Sequence, residues 1–180
     1  MSAIDHVVDL GPLPASLDEF LALRERVGKD AIGGAALFAL ALVEYVADPV
    51  AHEPFVTVML TMDHLVDDAA GYKGRRPHHT VLRNLRDRLV GKAHIARSYA
   101  QGTRFEDGYA LPGAIGIKVR VQANSALAPD RAKVFVHSTG ADSPRPVTLH
   151  RNDKGLWKVH EWSSLEVGVH APGRAPVDDL

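Results

Sequence analysis

The sequence predicts an α+β fold in which an N-terminal bundle of about four helices packs on a C-terminal four-stranded antiparallel meander. Three observations predict it. Apolar residues recur at helical spacing, between recognisable caps, from residue 16 to about residue 100. The spacing then changes to two from Ile115 onward. The composition, 46% hydrophobic and 24% charged over 180 residues, is that of one globular domain able to bury a core. The expected boundaries are a single domain over 1–172, with a helical part at 16–100 and a sheet part at 114–163. A flexible tail is expected at 173–180, where Gly173 and Pro176 follow Pro172.

The first helix is announced by Ser16-Leu17-Asp18-Glu19, a capping box in which Ser16 accepts from the Glu19 amide. It should run to Val27, with Leu17, Phe20 and Leu21 inward and Gly28 ending it. Asp30 caps a second helix that Asp48-Pro49 stops near Ala47. Its apolar residues encircle it, as in a helix at the centre of a small core, and Gly33 and Gly34 permit close approach of a neighbour. Pro54 suits the first turn of a third helix reaching Ala70, followed by a loop from Gly71 to Pro77. Thr80 is the expected cap of a fourth helix through Val90, with Val81, Leu82, Leu85 and Leu89 on one face.

In the second half, Ile115, Ile117, Val119 and Val121 alternate with Gly116, Lys118, Arg120 and Gln122. Val134 and Val136, Val147 and Leu149, and Trp157 and Val159 continue the pattern in three more strands. Asn152-Asp153-Lys154-Gly155 reads as the last hairpin turn. That turn sets His150 opposite Lys158 and Thr148 opposite His160, and makes His150 and His160 diagonal neighbours.

Several function classes are excluded or weakened. The chain has no cysteine, which removes disulfides, thiolate nucleophiles and thiolate metal sites and suits a reducing cytoplasm. The opening residues lack the pattern of a signal peptide, and the apolar run Ala31–Val43 is too short to span a bilayer, so a cytoplasmic protein without a membrane partner is expected. No phosphate-binding loop, dinucleotide fingerprint or nucleophile elbow is present. The net charge of −1 conceals a segregation: residues 1–70 carry three basic and twelve acidic side chains, residues 71–104 nine basic and one acidic.

The strings Ser138-Thr139-Gly140-Ala141-Asp142-Ser143-Pro144-Arg145-Pro146-Val147, Gly155-Leu156-Trp157-Lys158-Val159, Glu161-Trp162-Ser163-Ser164-Leu165 and Gly168-Val169 form a specific pattern. With Leu17-Asp18-Glu19-Phe20-Leu21 and Arg97-Ser98-Tyr99, the chain resembles a family of bacterial proteins known as a domain of unknown function, over most of residues 16–172. That resemblance implies domain integrity and bacterial origin, and no activity or catalytic residue. The Gly155–Val159 segment is also similar to late strands of cystatin-like and nuclear-transport-factor-like folds, which implies helices lying across a curved sheet with a pocket between them.

Two sets of residues are candidates for binding. One is the sheet face bearing Lys118, Arg120, Phe135, His137, His150, Lys158, His160 and Trp162, aromatic and basic together. Its charge and aromatic content are too small to favour nucleic acid. A metal on His137, His150 and His160 lacks an orienting carboxylate, and Asp63, His64, Asp67 and Asp68 read as charges at an exposed helix end, so no metal is assigned. The other set is Arg83, Arg86 and Arg88 on the fourth helix. No catalytic residue and no cofactor emerge. The leading expectation is a non-enzymatic cytoplasmic module acting through a protein partner or self-association. The alternative is a small-ligand-binding protein or enzyme with a pocket between helices and sheet, lined first by Tyr99, Tyr109 and the sheet histidines.

Overall fold

The computed structural model describes residues 2–173. At its centre runs α2 (Ala31–Ala47), in which every residue from Gly33 to Tyr45 is buried. An all-round apolar helix has no face to offer water, so the rest of the chain wraps it. Asp30 starts α2 by accepting from the Gly33 amide at 2.7 Å, which satisfies one of the unpaired donors of its first turn. Ahead of it, α1 (Leu17–Val27) begins where Ser16 accepts from the Glu19 amide, while Glu19 returns to the amide of Ala15 at 2.8 Å.

A six-stranded antiparallel sheet covers α2. Its order is β1 (Ile4–Gly11), β4 (Ile115–Val121), β6 (Arg131–Val136), β7 (Arg145–Arg151) and β8 (Trp157–Glu161), with β5 (Ala126–Ala128) paired to β6. Alternation sends Ile117, Val119, Val134, Val136, Val147, Leu149 and Val159 into the core. Apart from the sheet stands a hairpin of β2 (Leu65–Tyr72) and β3 (Arg75–Pro77). Three shorter helices complete the chain: α3 (Glu53–Thr57), α4 (His79–Leu89) and α5 (Ala93–Arg97). Among the described residues no helix is long and apolar enough to cross a membrane.

The expected four-helix bundle on a four-stranded meander does not hold. Among the described residues there are five α-helices and eight strands, and the main sheet has six strands. Three local causes account for the difference. Residues 4–11 form β1, whose partner β4 lies more than a hundred residues away and leaves no local trace. The third helix ends at Thr57 and not at Ala70, because the backbone of Met59–Thr61 pairs with Val159 of β8 and β-branched Val56, Thr57 and Val58 oppose its extension. The expected loop and the residues before it form the β2–β3 hairpin, turned by Lys73 and Gly74, both with positive φ (49° and 76°). At the head of α4 the cap is His78, whose Nδ1 accepts from the Thr80 amide, and not Thr80.

The two sheet edges differ. The outer edge of β8 is occupied: the Trp157 amide bonds the Gly28 carbonyl, the Val159 amide bonds Met59, and the Thr61 amide bonds Val159. At the other edge, β1 leaves Ile4 and Val7 exposed. The segment expected as a tail, 173–180, lies outside the described residues except for Gly173, whose amide bonds the Phe105 carbonyl.

Candidate functional site

The expected sheet face is divided. His150 pairs with Lys158, but Thr148 pairs with Glu161, because a register shift between Thr148 and Leu149 leaves His160 as the extra residue of β8. At the β1 end, Arg120 and His137 converge on Asp5, at 2.8 and 3.0 Å, and the Arg120 contact holds the Asp5 carboxyl well below the usual range. In the middle, the Lys133 ammonium lies 5.9 Å from the Phe135 ring, and Lys118 is half-buried. Trp162 is not on this face. It is buried against Phe38, and its indole Nε1 donates to Glu166 at 2.8 Å. Tyr99 and Tyr109, expected to line a pocket, are fully buried and donate to the carbonyls of Leu165 and His170.

At the β8 end the polar residues gather around two clefts. The first, of about 370 Å³, lies between α1, the β2–β3 hairpin and the end of the β7–β8 ladder. Its floor is Val58, Leu60, Leu65 and Tyr72, and its polar lining is basic: Arg24, Lys73, Arg75, Arg151, Lys154 and Lys158, with His150. Among the described residues no carboxylate lines it. Two of its cations meet on one neutral atom. The Arg24 guanidinium donates to the Val58 carbonyl at 3.2 Å, and the Lys158 ammonium donates to the same oxygen.

Such crowding is costly in a half-buried place, where water screens charge poorly. The Lys158 amine is pushed down to about 8, by burial first and then by Arg24 and Lys154. Burial likewise pulls the Arg24 guanidinium down, and its Nε has no hydrogen-bond partner among the described residues. Among the described residues Arg24 finds one carboxylate, Glu25, at 3.9 Å, and Arg75 finds its cross-strand partner Asp67 at 2.9 Å.

The second cleft, of about 450 Å³, opens between α4, the turn at Met62–His64 and the segment after β8. Asp63, His64, His78, Arg88, His160 and Glu166 line it. Burial pushes the Glu166 carboxyl up, against the pull of Trp162 and of Arg88, which lies 3.0 Å away. His150 connects the two clefts. It lines the first, and its ring stacks on that of His160 with centroids 4.4 Å apart.

Of the residues expected to bind, the structure brings together His150, Lys158 and His160, and places Arg88 near them on the second cleft. It leaves Arg83 and Arg86 exposed on α4, Arg86 paired with its neighbour Asp87 alone. Sequence reasoning passed over Arg24, and its signal was present. Leu17, Phe20, Leu21 and Arg24 have the i, i+3, i+4, i+7 spacing of one helix face, so a cation stands in the stripe that α1 turns inward.

A family model described as a domain of unknown function (DUF6935) matches residues 12–173. No curated protein and no solved structure matches the chain.

Proposed function

The chain belongs to the DUF6935 family, a description that carries no activity to transfer, and we propose from its own geometry that it binds a small anionic ligand with an apolar part. The ligand is a phosphate or carboxylate ester or acid, seated in the basic cleft with its anionic group on Arg24 and Lys158 and its apolar part on Leu60, Leu65 and Tyr72. The observation that carries this reading is the single Val58 carbonyl shared by two cations in a cleft lined by no carboxylate. A protein that only needed to fold would place an acid there or let one cation reach water. An incoming anion supplies the missing countercharge, and charge-assisted hydrogen bonds are the strongest available to it. The absence of cysteine suits work in a reducing, cytoplasmic setting.

Calorimetric titration with inorganic phosphate and with phenyl phosphate tests the reading. Both should bind, phenyl phosphate more tightly. Lys158→Met, which keeps the stem and removes the charge, should weaken both by about tenfold or more, since a hydrogen bond to a charged group contributes about 1.5–3 kcal/mol. Failure of both anions to bind, or equal binding by the variant, would sink the proposal.

A second reading, association with a protein partner or another copy through α4, is favoured by one observation. Arg83 and Arg86 are exposed and, among the described residues, reach no carboxylate on another element.

A further inference from the structure

Asp63, His64 and His160 come from two parts of the chain nearly a hundred residues apart, yet a ligand atom of each lies within 4.8 Å of the other two. The local structure explains the meeting. The Thr61 amide bonds the Val159 carbonyl, which anchors the chain beside β8 one residue ahead of the turn at Met62–His64. The turn lifts Asp63 and His64 to the level of His160, and the bulge in β8 aims His160 out of the regular ladder. His64 is fixed on both sides of its backbone, its amide on the Thr61 carbonyl and its own carbonyl on the His78 amide.

We propose that Asp63, His64 and His160 form a site for a divalent first-row transition-metal ion, with zinc as its reference occupant. The site is separate from the basic cleft and does not depend on the reading given to it. Two features of the geometry carry it. The first is the orientation of His64. Its Nε2 lies 2.7 Å from the carbonyl oxygen of His160, and since a carbonyl only accepts, Nε2 carries the proton and Nδ1 holds the free lone pair. Histidines that bind metals characteristically have the second nitrogen tied down in this way, most often to a carboxylate or a backbone carbonyl.

The second feature is distance. Asp63 Oδ2 and His160 Nδ1 stand 3.2 Å apart. Zinc bonds of about 2.0–2.1 Å in a tetrahedron place neighbouring ligand atoms ~3.3 Å apart, so this pair already spans one edge. Without metal this is a close polar contact, and His160 Nδ1 also lies 3.3 Å from Thr61 Oγ1, a contact that the ion would displace. Two imidazoles and one carboxylate are a borderline-soft donor set, suited to zinc and its first-row neighbours and poorly suited to calcium or magnesium, which want oxygen. Three protein ligands leave a fourth position open, and all three residues line the same cleft as Arg88 and Glu166.

The full chain, freed of metal by chelator and dialysis, is titrated with Zn2+ by calorimetry and with Co2+ by visible absorption. One ion should bind per chain, in the micromolar range or tighter, with Co2+ giving the intense visible bands of a tetrahedral site. His160→Ala and Asp63→Asn should each weaken binding by about tenfold or more. Asp63 is exposed, so its variant tests the site even where a histidine variant unfolds. Lys158→Met should bind zinc as the parent does, which separates this site from the anion cleft. No binding of either ion, or binding that survives both variants and is lost in His78→Ala/His79→Ala, whose rings lie 4.1 Å apart, would overturn the assignment.

Discussion

Glu44 sits within α2, its side chain 7% exposed, with Oε1 unpartnered and Oε2 3.5 Å from His52 Nδ1. The imidazole does not answer it squarely, because that nitrogen also lies 2.6 Å from the Glu44 backbone carbonyl and donates there. Burial therefore pushes the carboxyl up, with His52 opposing. The native state holds the proton at pH values where the unfolded chain has released it, so this group's contribution to stability falls as pH rises above the ordinary glutamate value. Glu44→Gln should accordingly stabilise the protein by about 1 kcal/mol at pH 8 and by nearly nothing at pH 4.5, as read by urea unfolding at both values. A variant less stable at pH 8 would mean that the carboxylate is satisfied. Much of the candidate site was visible residue by residue as well. His150 opposite Lys158 follows from the hairpin at Asn152–Gly155, because a two-residue period and one turn suffice to place them, whereas the bulge moves His160 from its expected place opposite Thr148. Asp63 and His64 do not follow, because what sets them beside His160 is a backbone pairing with β8 that no local periodicity encodes.

Among the elements, α2 was the most legible, since caps, length and all-round apolarity are properties of seventeen consecutive residues. Its contact with β8 has one demanding point. A Cβ on Gly34 would lie 2.8 Å from the Trp157 carbonyl oxygen and 2.9 Å from Leu149 Cδ2, so the helix touches the sheet where it has no side chain. Gly34→Val should destabilise by about 1–3 kcal/mol through overpacking, visible as a lower urea midpoint at unchanged slope. An unaltered midpoint would show that β8 can yield. The same contact carries the Lys158 end of the basic cleft, so Gly34→Val should weaken anion binding while Gly113→Ala, where a Cβ meets open space, should not. The hairpin β2–β3 was the least legible element. Asp67, Asp68, Ala69 and Ala70 read as the end of a helix, and only the positive φ at Lys73 and Gly74, together with pairing to Arg75, makes them strand.

Over the whole molecule the charge segregation is partly resolved within the fold. Arg75 meets Asp67 at 2.9 Å, and Arg76 meets Glu53 at 2.8 Å and Asp68 at 3.3 Å, so the basic segment answers the acidic one that precedes it. The three arginines of α4 are therefore not equivalent. Arg88→Glu sets a second carboxylate beside buried Glu166 and should cost about 2 kcal/mol of stability, below the usual figure for a buried pair because Arg88 is 44% exposed. Arg83→Glu/Arg86→Glu should change stability by less than about 0.5 kcal/mol. Light scattering at low and high salt then reads association alone: a mass above 19.5 kDa that the double variant lowers supports contacts through α4, and a monomer at every salt concentration removes them. The sheet's edges set the limit of any such growth. Residues 28, 59 and 61 already fill the hydrogen-bonding positions along β8, whereas among the described residues no strand pairs with the outer row of β1, beside Ile4 and Val7. A molecule with one sticky border and one sealed border can pair border to border about a twofold axis, and the pair then has no open border left. The backbone pairing that seats Thr61 beside Val159 also closes the β8 edge, so a strand added at β1 would join two chains and meet no further open edge along β8.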